Sequence, residues 1–152
     1  MIKFTKYVKV SSLEEAYELN KSRANVIMGG MMWLGMQNRN IGTAVDISGL
    51  GLDRIEENNE SYIIGAMVPL RSLECHEGLN EYTKGAVKES LRHIVGVQFR
   101  NMATVGGSLY GRYGFSDVLT LFMAIGASVQ LYKAGTVDIA AFADMPFDND
   151  IL

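Results

Sequence analysis

The first fifty residues alternate short strand-like and helix-like segments, and this alternation constrains the fold more than any other feature of the sequence. Residues 4–10, 25–28 and 43–47 have the apolar content of short strands. Between the first two, Ser12 and Glu15 stand at the ends of a capping box, which starts a helix. Residues 31–38 predict a second helix. Because strands joined through helices usually run parallel, this region predicts a small parallel sheet.

The rest of the chain has a different pattern, in which strand pairs are joined by short turns. Residues 53–57 with 62–68, and residues 127–133 with 136–139, predict two hairpins. Pro69 favours the start of a short helix. Apolar spacing predicts one long helix over residues 78–95, and Ser116 can cap a buried helix over residues 118–125. Residues 103–110 predict a loop. We expect a small lobe over residues 1–52 and a larger lobe over residues 53–152.

Composition excludes several classes of protein. The chain has 152 residues, the size of one ordinary domain, and a net charge of −3, so no basic surface for nucleic acid is indicated. Cys75 is the only cysteine and is adjacent to His76, with no second metal-ligand pair, so we expect no metal site. The apolar run at residues 26–36 is too short to span a membrane, and the N-terminus does not resemble a signal peptide. A cytoplasmic protein is expected.

Two glycine pairs are the best candidates for a binding site. Gly29-Gly30 lies between a predicted strand and a predicted helix, and Gly106-Gly107 lies in a stretch of small residues. Glycine lets backbone N–H groups converge on an anion, and a diphosphate can use donors from two loops. The alternative is that each pair is only a turn. Neither pair matches the dinucleotide fingerprint or the P-loop.

The second glycine pair lies within a longer motif. Residues 100–109 read Arg-Asn-Met-Ala-Thr-Val-Gly-Gly-Ser-Leu, and Ser116-Asp117 follows. This resembles the flavin-loop signature of FAD-binding subunits of molybdenum hydroxylases, the xanthine dehydrogenase family. Residues 28–34 resemble that family's first glycine loop, and the resemblance extends from about residue 4 to the end. Met31 and Met32 replace a hydroxyl and a carboxylate of the family, and Ser108 replaces an asparagine.

The resemblance implies a two-lobed α+β FAD-binding fold, with a small parallel lobe and a larger, mostly antiparallel lobe. It also implies the residues that contact FAD, which fall in the two loops, on the long helix and at the start of the buried helix: Met28, Gly29, Gly30, Met31, Met32, Trp33, Ile94, Ala103, Thr104, Gly106, Gly107, Ser108 and Asp117. Read without the family, Ile94 is a core residue of a helix and Asp117 is an acidic residue in a first helical turn.

The function implied by the resemblance is electron transfer within a complex. A molybdenum-cofactor subunit would pass electrons to an iron–sulfur subunit. FAD would receive them from there and pass them to NAD or another acceptor. No catalytic acid or base is required of this chain. The alternative is a flavin-free scaffold or assembly subunit with the same fold. Because family subunits are longer and end in a separate domain, we expect a truncated chain that binds FAD weakly.

Overall fold

The N-terminal part of the chain is a three-stranded parallel sheet in the computed structural model, which describes residues 1–148. The elements in order are β1 (Lys3–Lys9), α1 (Leu13–Asn20), β2 (Val26–Met28), α2 (Met32–Gly35) and β3 (Asn40–Asp46). β3 is the central strand, and it pairs in parallel with both β1 and β2. The predicted parallel sheet is therefore confirmed. Ser12 caps α1 as predicted, because its Oγ accepts the Glu15 N–H at 3.1 Å, whereas the Glu15 carboxylate accepts the N–H of Ser11 at 2.9 Å.

The second part combines two hairpins with short helices. β4 (Ile55–Glu57) pairs with β5 (Tyr62–Ile64), and β6 (Ser128–Leu131) pairs with β7 (Gly135–Asp138), both antiparallel as predicted. The helices are α3 (Leu70–Glu74), α4 (Glu77–Tyr82), α5 (Ala86–Leu91), α6 (Val97–Met102), α7 (Val105–Tyr110), α8 (Asp117–Ala124) and α9 (Ile139–Asp144). The predicted α+β class is confirmed, with the antiparallel strands in two separate sheets.

Two predicted elements are wrong. The helix expected over residues 78–95 is divided into α4 and α5, because Lys84 (φ 51°) and Gly85 (φ 84°) adopt left-handed conformations that no α-helix continues through. The loop expected over residues 103–110 contains α7. Thr104 caps α7, since its Oγ1 accepts the Gly107 N–H at 3.2 Å.

Two clusters of buried apolar side chains hold these elements together. A small cluster of Val10, Ala16, Val45 and Ile47 lies between the parallel sheet and α1. A larger cluster joins α3, α5, α7, α8 and α9, and includes Leu73, Leu91, Phe122 and Phe142. Met67 and Tyr132, from the second part of the chain, pack against the small cluster. The boundary between residues 52 and 53 stays a prediction.

A buried ion pair joins α3 to α6. The Arg100 Nε donates to Glu74 Oε2 at 2.7 Å, and both side chains are only 5% exposed. Arg71 makes a second ion pair with Glu74 Oε1 at 2.7 Å. Arg100 Nη1 also donates a hydrogen bond to the Ile94 carbonyl at 2.9 Å. A charge removed from water needs such partners, so this network fixes the position of residue 94 relative to two helices.

Replacing Arg100 should destabilise the fold. Arg100→Met leaves the buried Glu74 carboxylate with one partner fewer, so we expect the free energy of unfolding to fall by about 3–5 kcal/mol. Urea denaturation followed by circular dichroism measures this. Arg92→Met is the matched control, because Arg92 pairs with Glu89 at the surface and exposed pairs contribute little. Equal effects of the two substitutions would contradict the importance of the buried pair.

The same network predicts an acid dependence of stability. Burial by itself raises the pKa of Glu74, but the hydrogen bonds and charges of Arg100 and Arg71 outweigh burial and leave this pKa below its ordinary value of 4.5. The ionised Glu74 carboxylate contributes fully to the free energy of unfolding above the ordinary pKa, and this contribution is lost as pH falls through the lower folded-state pKa. The stability difference between the wild type and Glu74→Gln should therefore shrink below about pH 4.5, in urea denaturation at decreasing pH. A difference independent of pH would contradict this.

Candidate functional site

The first glycine pair lies directly against the second glycine loop. A Cβ atom added at Gly29 would lie 2.9 Å from Thr104 Oγ1 and 3.9 Å from the Gly107 Cα. One added at Gly30 would overlap the Met102 carbonyl and lie 3.0 Å from the Ala103 Cα. The β2–α2 turn and the segment between α6 and α7 therefore approach so closely that the backbone at position 30 has no space for a side chain.

The turn after β2 presents unused backbone donors. Among residues 1–148, the N–H groups of Gly29, Gly30 and Met31 have no hydrogen-bond acceptor. Met31 has a left-handed backbone, with φ of 64°, and precedes α2. Adjacent N–H groups in such a turn form a concavity that binds anions. These three donors are therefore available to a ligand.

The N–H groups of the second loop are already engaged. Val105 donates to the Val68 carbonyl at 2.9 Å, Gly106 donates to the Ala66 carbonyl at 2.8 Å, and the Gly107 N–H is used in the Thr104 cap. A Cβ at Gly106 would meet the Ala66 Cβ at 2.8 Å. Gly106 thus provides close packing of α7 on residue 66. We expected backbone donors from both loops, but the Val105, Gly106 and Gly107 N–H groups of the second loop already have acceptors, so the donors come from the first loop.

A cavity of about 250 Å³ opens beside the contact between the loops. Of the residues expected to contact a ligand, Trp33, Ile94, Gly107, Ser108 and Asp117 line it. The others lie at or behind the loop contact: Met28, Gly29, Gly30, Met31, Met32, Ala103, Thr104 and Gly106. The structure therefore brings residues from four separate stretches of sequence to one region.

The cavity also contains residues that the sequence did not single out. Leu70, Val95, Phe99, Tyr113 and Phe115 contribute to its wall. His93 is exposed and also lines the cavity. The sequence offered one sign of these wall residues, because Tyr113 and Phe115 are aromatic and stand immediately before Ser116-Asp117.

One wall of the cavity has a strained backbone. Val95 has a φ of 51°, an outlier for a β-branched residue, and its side chain is 79% exposed. The preceding Ile94 carbonyl is held by Arg100. Such a conformation persists only where surrounding contacts enforce it, and it occurs often at ligand sites. The bond from the buried Arg100 to the Ile94 carbonyl therefore helps to hold the strained backbone of this wall.

The polar groups of the cavity are arranged by helix starts. Ser116 Oγ accepts the Leu119 N–H at 3.2 Å and caps α8, which places Asp117 in the first turn at the cavity edge. Ser108 Oγ donates to the Thr104 carbonyl at 2.8 Å. Within residues 1–148 there is no group of three or more His, Cys, Asp or Glu side chains that could hold a metal ion.

These observations fit a ligand with an anionic group and a flat ring. The free N–H groups of Gly29, Gly30 and Met31 suit phosphate oxygens. The adjoining cavity has apolar and aromatic walls and a few polar groups, as small-molecule sites usually have. No helix within residues 1–148 has the length and apolar content needed to cross a membrane.

The family described as "FAD binding domain in molybdopterin dehydrogenase" matches residues 2–151. Protein YgfM of Escherichia coli (strain K12) is 26% identical over 106 residues, which are 70% of this chain and 39% of that protein. The recognition of the family and of FAD as its cofactor is thus confirmed.

Solved structures show the same fold at low sequence identity. Quinoline 2-oxidoreductase from Pseudomonas putida 86 has a chain that matches with a TM-score of 0.84 and 19% identity, over 98% of this chain and 56% of that one. A Cu,Mo-CO dehydrogenase matches with a TM-score of 0.86 and 20% identity, over 100% and 58%. The chain therefore spans less than two thirds of these relatives.

Filling the loop contact should separate the two loops. Gly30→Ala places a Cβ on the Met102 carbonyl, which is backbone and cannot rotate away. We expect the free energy of unfolding to fall by about 1–3 kcal/mol, the usual cost of overpacking. Gly35→Ala is the control, because no atom lies within 4 Å of a Cβ there. If chemical denaturation gave the same stability for Gly30→Ala as for the wild type, the contact would be looser than described.

Proposed function

Since this chain belongs to the family of FAD binding domains in molybdopterin dehydrogenases, we propose that it holds FAD where its two glycine loops meet. The free donors at Gly29, Gly30 and Met31, which lie beside a cavity, are the observation that carries the proposal. They bind the diphosphate, and the cavity takes part of the remaining molecule. Asp117 and Ser108 supply polar contacts, and Ile94 covers apolar surface.

The two methionines that depart from the family pattern are compatible with this role. A backbone N–H is present whatever the side chain, so Met31 can serve an anion as well as a serine or threonine could through the same group. Met32 packs against the larger apolar cluster, so its side chain contributes to the core. Ser108 keeps a polar group at the cavity, shorter than the asparagine it replaces.

The whole activity that we propose is that of an oxidoreductase subunit. When bound, FAD supplies the electron-transfer chemistry, and the protein supplies binding, orientation and electrostatics. The residues of this chain hold the cofactor and exclude water from one side of it, and none is needed as an acid or base. In the complete complex, a molybdenum-cofactor subunit would supply electrons to an iron–sulfur subunit. From there they would reach the bound FAD and then NAD or another acceptor.

Exposed apolar side chains near the cavity support partner binding. Val95, Val97, Met102 and Phe115 are 45–79% exposed, and Val95 and Phe115 line the cavity itself. Exposed apolar surface of this kind commonly marks a protein–protein contact. We propose that this side of the molecule faces the iron–sulfur subunit.

A bulky side chain at Gly107 should block the cofactor. Gly107 is exposed and lines the cavity, and a Cβ added there would lie 3.0 Å from Thr104 Oγ1, so the larger side chain of Gly107→Leu crowds the place where the two loops meet. We expect at least about tenfold weaker FAD binding, equivalent to about 1.4 kcal/mol, in a titration followed by flavin fluorescence. Ala141→Leu is the matched control, because Ala141 is also the exposed third residue of a six-residue helix.

The same titration separates the proposal from its alternative. Circular dichroism should show that both variants keep the fold. A wild-type chain that binds no FAD would support a flavin-free scaffold and overturn the proposal. Equal FAD affinity of the wild type and Gly107→Leu would place the cofactor elsewhere.

A further inference from the structure

Two aromatic side chains at the cavity have no role in the cofactor binding described above. Tyr113 is 45% exposed and Phe115 is 72% exposed, and both line the cavity together with Trp33, which is 51% exposed. Aromatic side chains usually bury most of their large apolar surface. These three side chains instead leave between 45% and 72% of their surface exposed around one cavity, so they offer ring faces to a ligand.

The three rings form a continuous row. The Tyr113 and Phe115 rings are nearly parallel, with centroids 5.1 Å apart and an angle of 11° between their planes. The Trp33 ring is 6.3 Å from that of Tyr113 and tilted by 51°. A parallel pair at this separation is an offset stack, and a further flat ring can extend it.

The backbone that carries these rings is held in place. A Cβ at Gly111 would overlap the Tyr113 ring, so the ring lies directly on the glycine backbone. Arg112 between them has a left-handed φ of 47°, and its guanidinium carbon lies 4.3 Å from the Phe142 ring centroid and 4.6 Å from that of Phe147. Stacking on the buried Phe142 thus anchors the segment that presents Tyr113.

The row also adjoins the free backbone donors. Trp33 follows Gly30 by three residues, and Gly107, which lines the cavity, lies against Gly29. A molecule whose phosphates occupy the first loop therefore has its next atoms beside the aromatic rings. FAD carries a flat heteroaromatic ring on each side of its diphosphate.

We propose that Trp33, Tyr113 and Phe115 form an aromatic platform on which a flat heteroaromatic ring of the cofactor stacks. This rests on the proposed function, because it assumes FAD at the glycine loops. The platform makes Tyr113 and Phe115 positioning residues for the cofactor, in addition to the residues of the family signature. Its preference is for ring systems, whereas the first loop recognises phosphate.

Binding of three ligands tests the platform. The wild type, Phe115→Leu and Tyr113→Leu are titrated with FAD, with FMN, which lacks adenine, and with ADP, which lacks the flavin ring. ADP binding is read by competition, and the others by flavin fluorescence. We expect each substitution to weaken FAD binding about tenfold, as removal of one stacking ring does. It should equally weaken whichever of FMN and ADP carries the stacked ring and leave the other unchanged.

A matched variant controls for the loss of an exposed aromatic side chain. Tyr82→Leu removes a ring that is also 72% exposed but lies in α4, outside the cavity. It should bind all three ligands as the wild type does. Unchanged FAD affinity in both Phe115→Leu and Tyr113→Leu would overturn the platform while leaving FAD binding intact. Equal weakening of FMN and ADP binding would also overturn it. A wild type that binds none of the ligands would instead overturn the proposed function.

Discussion

The arrangement of the site depends on close approach between backbone segments. The Gly30 Cα faces the Met102 carbonyl, the Gly106 Cα faces Ala66, and the Gly65 Cα faces the Leu52 carbonyl. At each position a side chain would meet backbone, which cannot move without displacing a whole element. These contacts bring α2, α7 and the strand-end at residue 65 together. The cavity lies at this junction, so the glycines determine where it is before any side chain determines what it binds.

The two glycine loops do different work, although they look alike in sequence. The second loop uses its N–H groups internally, on the Ala66 and Val68 carbonyls and on Thr104, and is thereby rigid. The first loop is left-handed at Met31, and its N–H groups have no acceptor in the part of the chain that the structure describes. A rigid surface supports the turn from behind, so the free donors can remain oriented without a ligand. Such preorganisation reduces the ordering cost of binding.

Most of the fold was predictable from sequence because local signals set it. The caps at Ser12 and Ser116 and both hairpins have turn or capping residues in the sequence itself. The helix α7 was missed because two of its six residues are glycine, and its first turn depends on tertiary bonds to residues 66 and 68. The break after α4 was missed because Lys84 carries no signal for a left-handed conformation.

The candidate site was predictable only where a family signature covered it. The glycine loops and Asp117 belong to that signature, whereas Tyr113 and Phe115 have no periodicity and are exposed, so no core pattern reveals them. Their placement follows from Gly111 and the left-handed Arg112, which only the backbone shows. Whether these rings face the cavity is decided by tertiary structure.

The signature also includes a residue that acts on the site from a distance. Arg100 begins the motif, yet its guanidinium is buried against Glu74 and the Ile94 carbonyl and does not line the cavity. Burying a charge pair stabilises a fold little compared with apolar packing, but breaking one is costly, so the pair enforces a single geometry. That geometry includes the strained Val95 beside Ile94. A motif residue can therefore be required for ligand binding because it holds the cavity wall in a conformation that the chain would not otherwise adopt.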